Sequence, residues 1–149
     1  MESWAVQMNL IEQSARTVLD AYSVLPNRND HAVIFDIDDT LISVRGFGIT
    51  PIMDLYKYAY ELGFYVVIIT ARANGPGSQD YTLRQLTEYE IRHPRLIYLR
   101  PPHDDPEHFK TVARSHVQNH HRKQVIMSLG DSKCDVGDFG GIGFLLPRL

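Results

Sequence analysis

Carboxylates gather at two places in this 149-residue sequence. Asp36, Asp38 and Asp39 directly follow the apolar run Ala32-Val33-Ile34-Phe35, and Asp131 and Asp135 follow the apolar run ending at Leu129. Acidic groups crowded at one site repel one another and raise each other's pKa. A hard cation relieves that repulsion, and a small set of oxygen ligands suits Mg²⁺, which keeps several waters and shares its shell with phosphate. Asp131 and Asp135 stand four apart, so a helical turn would set both on one side. Beside such an ion an aspartate can attack phosphorus and split hydrolysis into two steps through an aspartyl-phosphate. An acid two residues on, as Asp38 is from Asp36, can protonate the leaving oxygen and later deprotonate water. The equatorial oxygens of the transferred group need donors. Thr70 offers a hydroxyl and Lys110 a charge. Arg72 reads equally as a substrate contact or as an ion-pair partner for a carboxylate, while Asp39 and Thr40 read as braces of their own loop.

These residues need elements to position them. Apolar positions Trp4, Met8, Ile11, Ala15, Val18, Tyr22 and Leu25 mark one face of a helix over residues 3–25. Residues 32–35, 65–69, 96–99 and 125–129 are short apolar runs that read as buried strands, with a short fifth strand over 143–146. Thr50-Pro51 is expected to cap and open a helix closed by Gly63. A third helix is expected over 78–92, and Asp105-Pro106 opens a fourth that reaches His121. Strands apolar on both faces, alternating with helices, imply a parallel sheet covered on both sides. The expected architecture is a Rossmann-like three-layer α/β sandwich on a mostly parallel five-stranded sheet, one domain over residues 1–149 with its catalytic core over 31–147. In such sheets the site lies beyond the carboxyl ends of the strands, which is where the residues above fall.

The motifs Phe35-Asp36-Ile37-Asp38-Asp39-Thr40-Leu41, Ile69-Thr70-Ala71-Arg72, Lys110, and Gly130-Asp131-Ser132-Lys133-Cys134-Asp135 resemble, in order, the four motifs of the haloacid dehalogenase superfamily. Four in register over residues 32–147 are far more specific than any one alone. The resemblance implies that Asp36 is nucleophile and metal ligand, and that Asp38 is the acid/base, its backbone carbonyl also on the metal. It implies that Thr70 and Lys110 hold the phosphoryl group, that Asp131 ligates Mg²⁺ directly, and that Asp135 supports the ion. An acid at Asp38 favours a phosphatase over the other branches. The stretches FDIDDTL, TPIMDLYKYAYELGF, FKTVAR and GDSKCD are similar to the acid-phosphatase branch, which includes the class B enzymes and the plant vegetative storage proteins. The intervals Asp36–Thr70 and Thr70–Lys110 leave no room for a large cap domain, only for a small flap over residues 41–50.

Bulk properties bound the rest. The net charge is −3, but residues 1–91 hold six Lys/Arg against twelve Asp/Glu, and residues 92–133 hold eight against four together with six of the seven histidines. The basic segment reads as uneven surface charge or as a face for an anionic partner, which makes a nucleic-acid or nucleotide phosphate end the alternative substrate. A catalytically weak phosphate-binding or storage relative is the non-enzyme alternative. No apolar run is long enough to span a membrane and no signal-peptide pattern is visible, so the expectation is a cytoplasmic protein. Cys134 reads as a small buried filler, and the 3–25 stripe covers the sheet or forms a homodimer seam. His116 and His120 have the spacing of a helical metal pair, with His121 adjacent, but no Cys or Glu motif accompanies them and a solvent-facing helix end is the expectation.

Overall fold

The computed structural model describes residues 3–149. Its order is α1 (Trp4–Ser23), β1 (His31–Phe35), α2 (Thr50–Glu61), β2 (Tyr65–Ala73), α3 (Ser78–Glu88), β3 (Leu96–Arg100), α4 (Pro106–Asn119), β4 (Gln124–Gly130) and β5 (Ile142–Leu145). All five strands join one sheet in the order β3-β2-β1-β4-β5, and every neighbouring pair is parallel. This is the expected α/β architecture.

The topology follows from handedness. The connections β1–α2–β2 and β2–α3–β3 step in one direction across the sheet, whereas β3–α4–β4 steps back past β1. Right-handed crossovers therefore put α2 and α3 on one face and α4 on the other. The packing agrees. Ile52, Leu55, Tyr56 and Leu86 join Val33, Phe35, Val66 and Ile68 in one core, with Met8, Ala15 and Leu19 of α1. Phe109, Ala113 and Val117 of α4 join Ala32, Ile34, Val67 and Ile69 in the other. Alternate residues of β1 and β2 thus serve opposite cores. The reversal of direction opens a crevice at the carboxyl ends of β1 and β4.

Several boundaries differ from expectation. β2 continues to Ala73, because its late residues still pair with β3 through an irregularity between Thr70 and Ala73. Thr70 and Arg72 therefore lie within a strand, not after one. The third helix stops at Glu88 rather than 92: Glu90 turns left-handed (φ 61°), and Ile91 donates its N–H back to Leu86 and drops into the core. Pro94 is not what ends it. Thr50 does not cap α2. The N-cap is Ile49, which is 1% exposed and has no side-chain acceptor to offer. Asp105 does cap α4, accepting from the His108 N–H. Of the α1 stripe, Met8 and Ala15 are buried in the core with Leu19 beside them, Leu25 lies beyond the helix and is exposed, and the Trp4 indole donates to the Pro147 carbonyl.

Residues 41–49 form the small flap. Ile42 bridges both Asp38 and Gly48, and Leu41, Ile42 and Ile49 are buried while Val44 and Phe47 face outward. Among the described residues no domain is inserted between the strands, and no helix is long and apolar enough to cross a membrane.

Candidate active site

Asp36 is the first residue beyond β1, and its N–H donates to the Leu129 carbonyl of β4. That bond fixes it at the crevice between the two strands. Its carboxylate is held on both sides. Lys110 Nζ donates to Oδ1 at 3.2 Å, and Thr40 Oγ1 donates to Oδ2 at 3.2 Å. Thr40, read from sequence as a brace of the loop, is fully buried and touches the Asp36 carboxylate itself. Only the fold of the loop, in which Leu41 and Ile42 both donate back to the Ile37 carbonyl, could reveal this.

Lys110 rises from the first turns of α4 into the same space. It is 3% exposed, so it is not a surface lysine, and it pairs with Asp135 as well as Asp36. Asp135 belongs to the turn Lys133–Asp135, where Ser132 and Asp135 form a capping box and the Ser132 N–H donates to Asp135 Oδ2 at 3.0 Å. Gly130 is needed there, because the Asp135 side chain lies where a Cβ would stand. Arg114, also buried, donates to the Cys134 and Asp138 carbonyls and so pins the turn to α4. Cys134 is half-buried, more open than expected, with its thiol on Ser132 Oγ at 3.3 Å.

The carboxylates of Asp36, Asp131 and Asp135 converge, with one oxygen from each within 4.8 Å of the others. The electrostatics register the crowding. Burial pushes Asp36 up to about 8, Asp135 adds repulsion, and Lys110 pulls the other way. Burial and then Asp135 also raise Asp131. Burial acts to lower Lys110, but Asp36 and Asp135 outweigh it and hold the ammonium above its ordinary value. One cation against three acidic groups leaves excess negative charge, and the all-oxygen donor set fits a hard metal ion.

Asp38 and Arg72 face each other across the mouth. Arg72 Nε and Nη2 donate to the two Asp38 oxygens at 3.0 and 2.9 Å, a bidentate fork. Arg72 therefore takes the ion-pair role here. Asp38 is the most open of the acidic groups paired in the cleft, its side chain 41% exposed. Thr70 is buried and accepts from the Arg72 N–H. Asp39 adopts φ 60° and its carboxylate accepts from the Val44 N–H, the brace expected of it. The cleft holding Asp36, Asp38, Arg72, Lys110, Asp131 and Asp135 encloses about 410 Å³ and is open to solvent.

The basic segment does not form one face. Arg95 and Lys123 stack on the Tyr65 ring, at the amino end of β2 and the far side of the sheet from Asp36. Arg114 is buried, and Arg100 donates to the Ala71 and Asp104 carbonyls.

No protein-family model matches the chain, and no curated protein matches it in sequence. Solved structures do match. A chain of the Pnkp1/Rnl/Hen1 complex aligns with 78% of this chain at 20% identity, TM-score 0.65. The cobalt-bound deoxy-D-mannose-octulosonate 8-phosphate phosphatase (YrbI) of Haemophilus influenzae aligns with 80% of it at 19% identity, TM-score 0.53. This chain spans 45% of the first and 72% of the second. At such identities the likeness is one of fold: the chain shares their α/β architecture.

Proposed function

We propose that this chain is a magnesium-dependent phosphomonoesterase acting through an aspartyl-phosphate on Asp36. The observation that carries the reading is the buried Asp36 carboxylate, gripped by Lys110 and Thr40 and crowded by two further acids at the crevice of a parallel sheet. The four-motif resemblance and the fold shared with a phosphatase support it. The finer likeness to the acid-phosphatase branch rests on four sequence stretches.

Asp36, Asp131 and the Asp38 carbonyl would hold Mg²⁺, with Asp135 supporting. When bound, the ion supplies charge neutralisation between the phosphate and the carboxylates. An Asp36 oxygen forms a bond to phosphorus as the bond to the leaving oxygen breaks, and the Asp38 carboxyl gives that oxygen its proton. Asp38, now a carboxylate, takes a proton from water as the water oxygen attacks phosphorus and Asp36 departs. Lys110 and Thr70 donate to the phosphoryl oxygens, and Lys110 and Thr40 keep the Asp36 carboxylate from rotating. The Arg72 fork occupies both Asp38 oxygens, so Arg72 must move aside before Asp38 can reach the leaving group. In our reading the incoming phosphate draws Arg72 across and frees the acid.

The leaving group must lie on the Asp38 side. A hollow of about 360 Å³ there is lined by Asp38, Ser43, Val44, Arg72, Tyr81 and Gln85. Tyr81 and Val44 present exposed apolar surface, and Arg72 Nη1 and Gln85 Oε1 are buried without partners. An open, mixed hollow of this kind suits a small organic phosphate with a flat, polar-edged leaving group. Turnover of p-nitrophenyl phosphate, stopped by chelation and restored by Mg²⁺, tests the activity. No turnover with Mg²⁺ present would leave a phosphate-binding or storage role in its place. A panel of phosphometabolites and 5′- or 3′-phosphorylated oligonucleotides then separates small substrates from nucleic-acid ends.

A further inference from the structure

The last turn of α4 carries a cluster that the proposed reaction does not use. His116 lies in that turn, His120 is its C-cap, and His121 follows. From sequence the third histidine looks merely adjacent. In the fold, the His121 N–H still donates to the His116 carbonyl at 3.2 Å, so the chain keeps turning for one residue past the cap. Arg122 then reverses it with φ 56°. That extra turn swings the third ring onto the first two. His116 and His120 stack with centroids 4.5 Å apart, and His121 stands edge-on to them at 5.2 and 4.9 Å. One ring nitrogen from each lies within 4.8 Å of the others.

We propose that His116, His120 and His121 form a second metal site, which binds one borderline divalent cation of the Zn²⁺ or Cu²⁺ class. Three imidazoles make an all-nitrogen donor set, which such ions favour and Mg²⁺ does not. Three protein ligands leave a fourth position for water. His116 is already oriented: Tyr98 Oη meets its Nδ1 at 2.7 Å. With a cation on Nε2, Nδ1 keeps its proton and donates to Tyr98, the outer contact that fixes ligating histidines. Burial, the two neighbouring rings and Lys123 all lower His121, which favours the neutral form that ligates. The carbonyls at the helix C-terminus favour a cation there, while Arg122 and Lys123 oppose it. His120 stands ten residues along α4 from Lys110, about 15 Å at the helical rise, so the two metal sites are separate. The site would clamp the end of α4 to β3 through Tyr98.

The test is a Zn²⁺ titration at pH 7.5 in excess Mg²⁺, on the full chain and on its His120→Ala and Asp131→Asn variants. His120 is exposed, so the first variant keeps the fold, as circular dichroism checks. One Zn²⁺ should bind per chain in the parent and in Asp131→Asn. In His120→Ala the affinity should fall by more than about 100-fold, beyond the loss from removing an outer contact alone. Cu²⁺ should show nitrogen hyperfine coupling in its EPR spectrum that disappears in His120→Ala. Equal Zn²⁺ binding by His120→Ala and the parent, or loss of the site in Asp131→Asn, overturns the proposal.

Discussion

At the carboxyl ends of the strands, Asp36, Lys110 and Asp135 are 7, 3 and 5% exposed and press on one another at the floor of the open cleft. At the amino ends, Lys123 reaches Asp30 at 3.9 Å, lies over the Tyr65 ring, and faces a carboxylate whose side chain is 65% exposed. The same residue types thus live under different rules on one sheet. At the amino ends the exposed Asp30 carboxylate is screened by water, and a pair 3.9 Å apart contributes little. At the carboxyl ends burial weakens that screening, and the fold holds three acids around one lysine. A buried imbalance that packing maintains is where chemistry is to be expected.

The largest effect that separates the two ends should come from Asp36→Asn. It removes the proposed nucleophile with almost no change in volume, so turnover of p-nitrophenyl phosphate should vanish while the circular dichroism spectrum stays unchanged. Retained turnover ends the assignment. Asp38→Asn should slow turnover by roughly 10²–10⁴; unaltered kinetics would move the proton shuttle elsewhere. Lys110→Met tests burial directly. It leaves Asp135 without its buried partner and should cost roughly 3–5 kcal/mol in a urea titration without added metal. A loss no larger than that at a surface lysine would mean the network is solvated.

A subtler contrast is with pH. The folded chain without metal holds Asp36 protonated up to about 8, against an ordinary value of 3.8. Between those values the folded state binds more protons than the unfolded one, so stability should fall as pH rises from about 4 to about 8. Melting temperatures in chelator should show that decline, and Mg²⁺ should raise them more at pH 8 than at pH 5. Asp36→Asn should flatten the slope, and a melting temperature that climbs over this range in chelator contradicts the buried-acid account. The smallest effect belongs to the other end. Lys123→Ala should change stability by about 0.5–1 kcal/mol, the value of an exposed cation–π contact, and leave turnover untouched. A change in turnover would mean that the amino edge also reaches substrate.

Much of this was legible in the chain. Short apolar runs alternating with helical stretches specify a parallel sheet, because only burial on both faces suits them. That in turn puts Asp36, Asp131 and Asp135 at one edge. The Asp105-Pro106 cap also carries its meaning locally, since helix starts depend on near neighbours. Other features depend on partners far along the chain. Lys110 is 74 residues from Asp36, and only the return crossover of α4 under the sheet buries it against that carboxylate. Arg72 could pair with acid or substrate until the fold set it 2.9 Å from Asp38, 34 residues away. Thr40 looked like a turn residue until the loop closed its hydroxyl onto Asp36. The basic segment could be read as uneven surface charge or as one face, because sequence proximity is not spatial proximity: alternate ends of successive elements sent Arg95 and Lys123 to one end of the sheet and Arg100 to the other. Periodicity and local backbone chemistry act over a few residues, so the chain alone showed which groups could react and which elements carry them. The tertiary structure alone decided which charges meet and which are buried, because desolvation and distance belong to the packed chain.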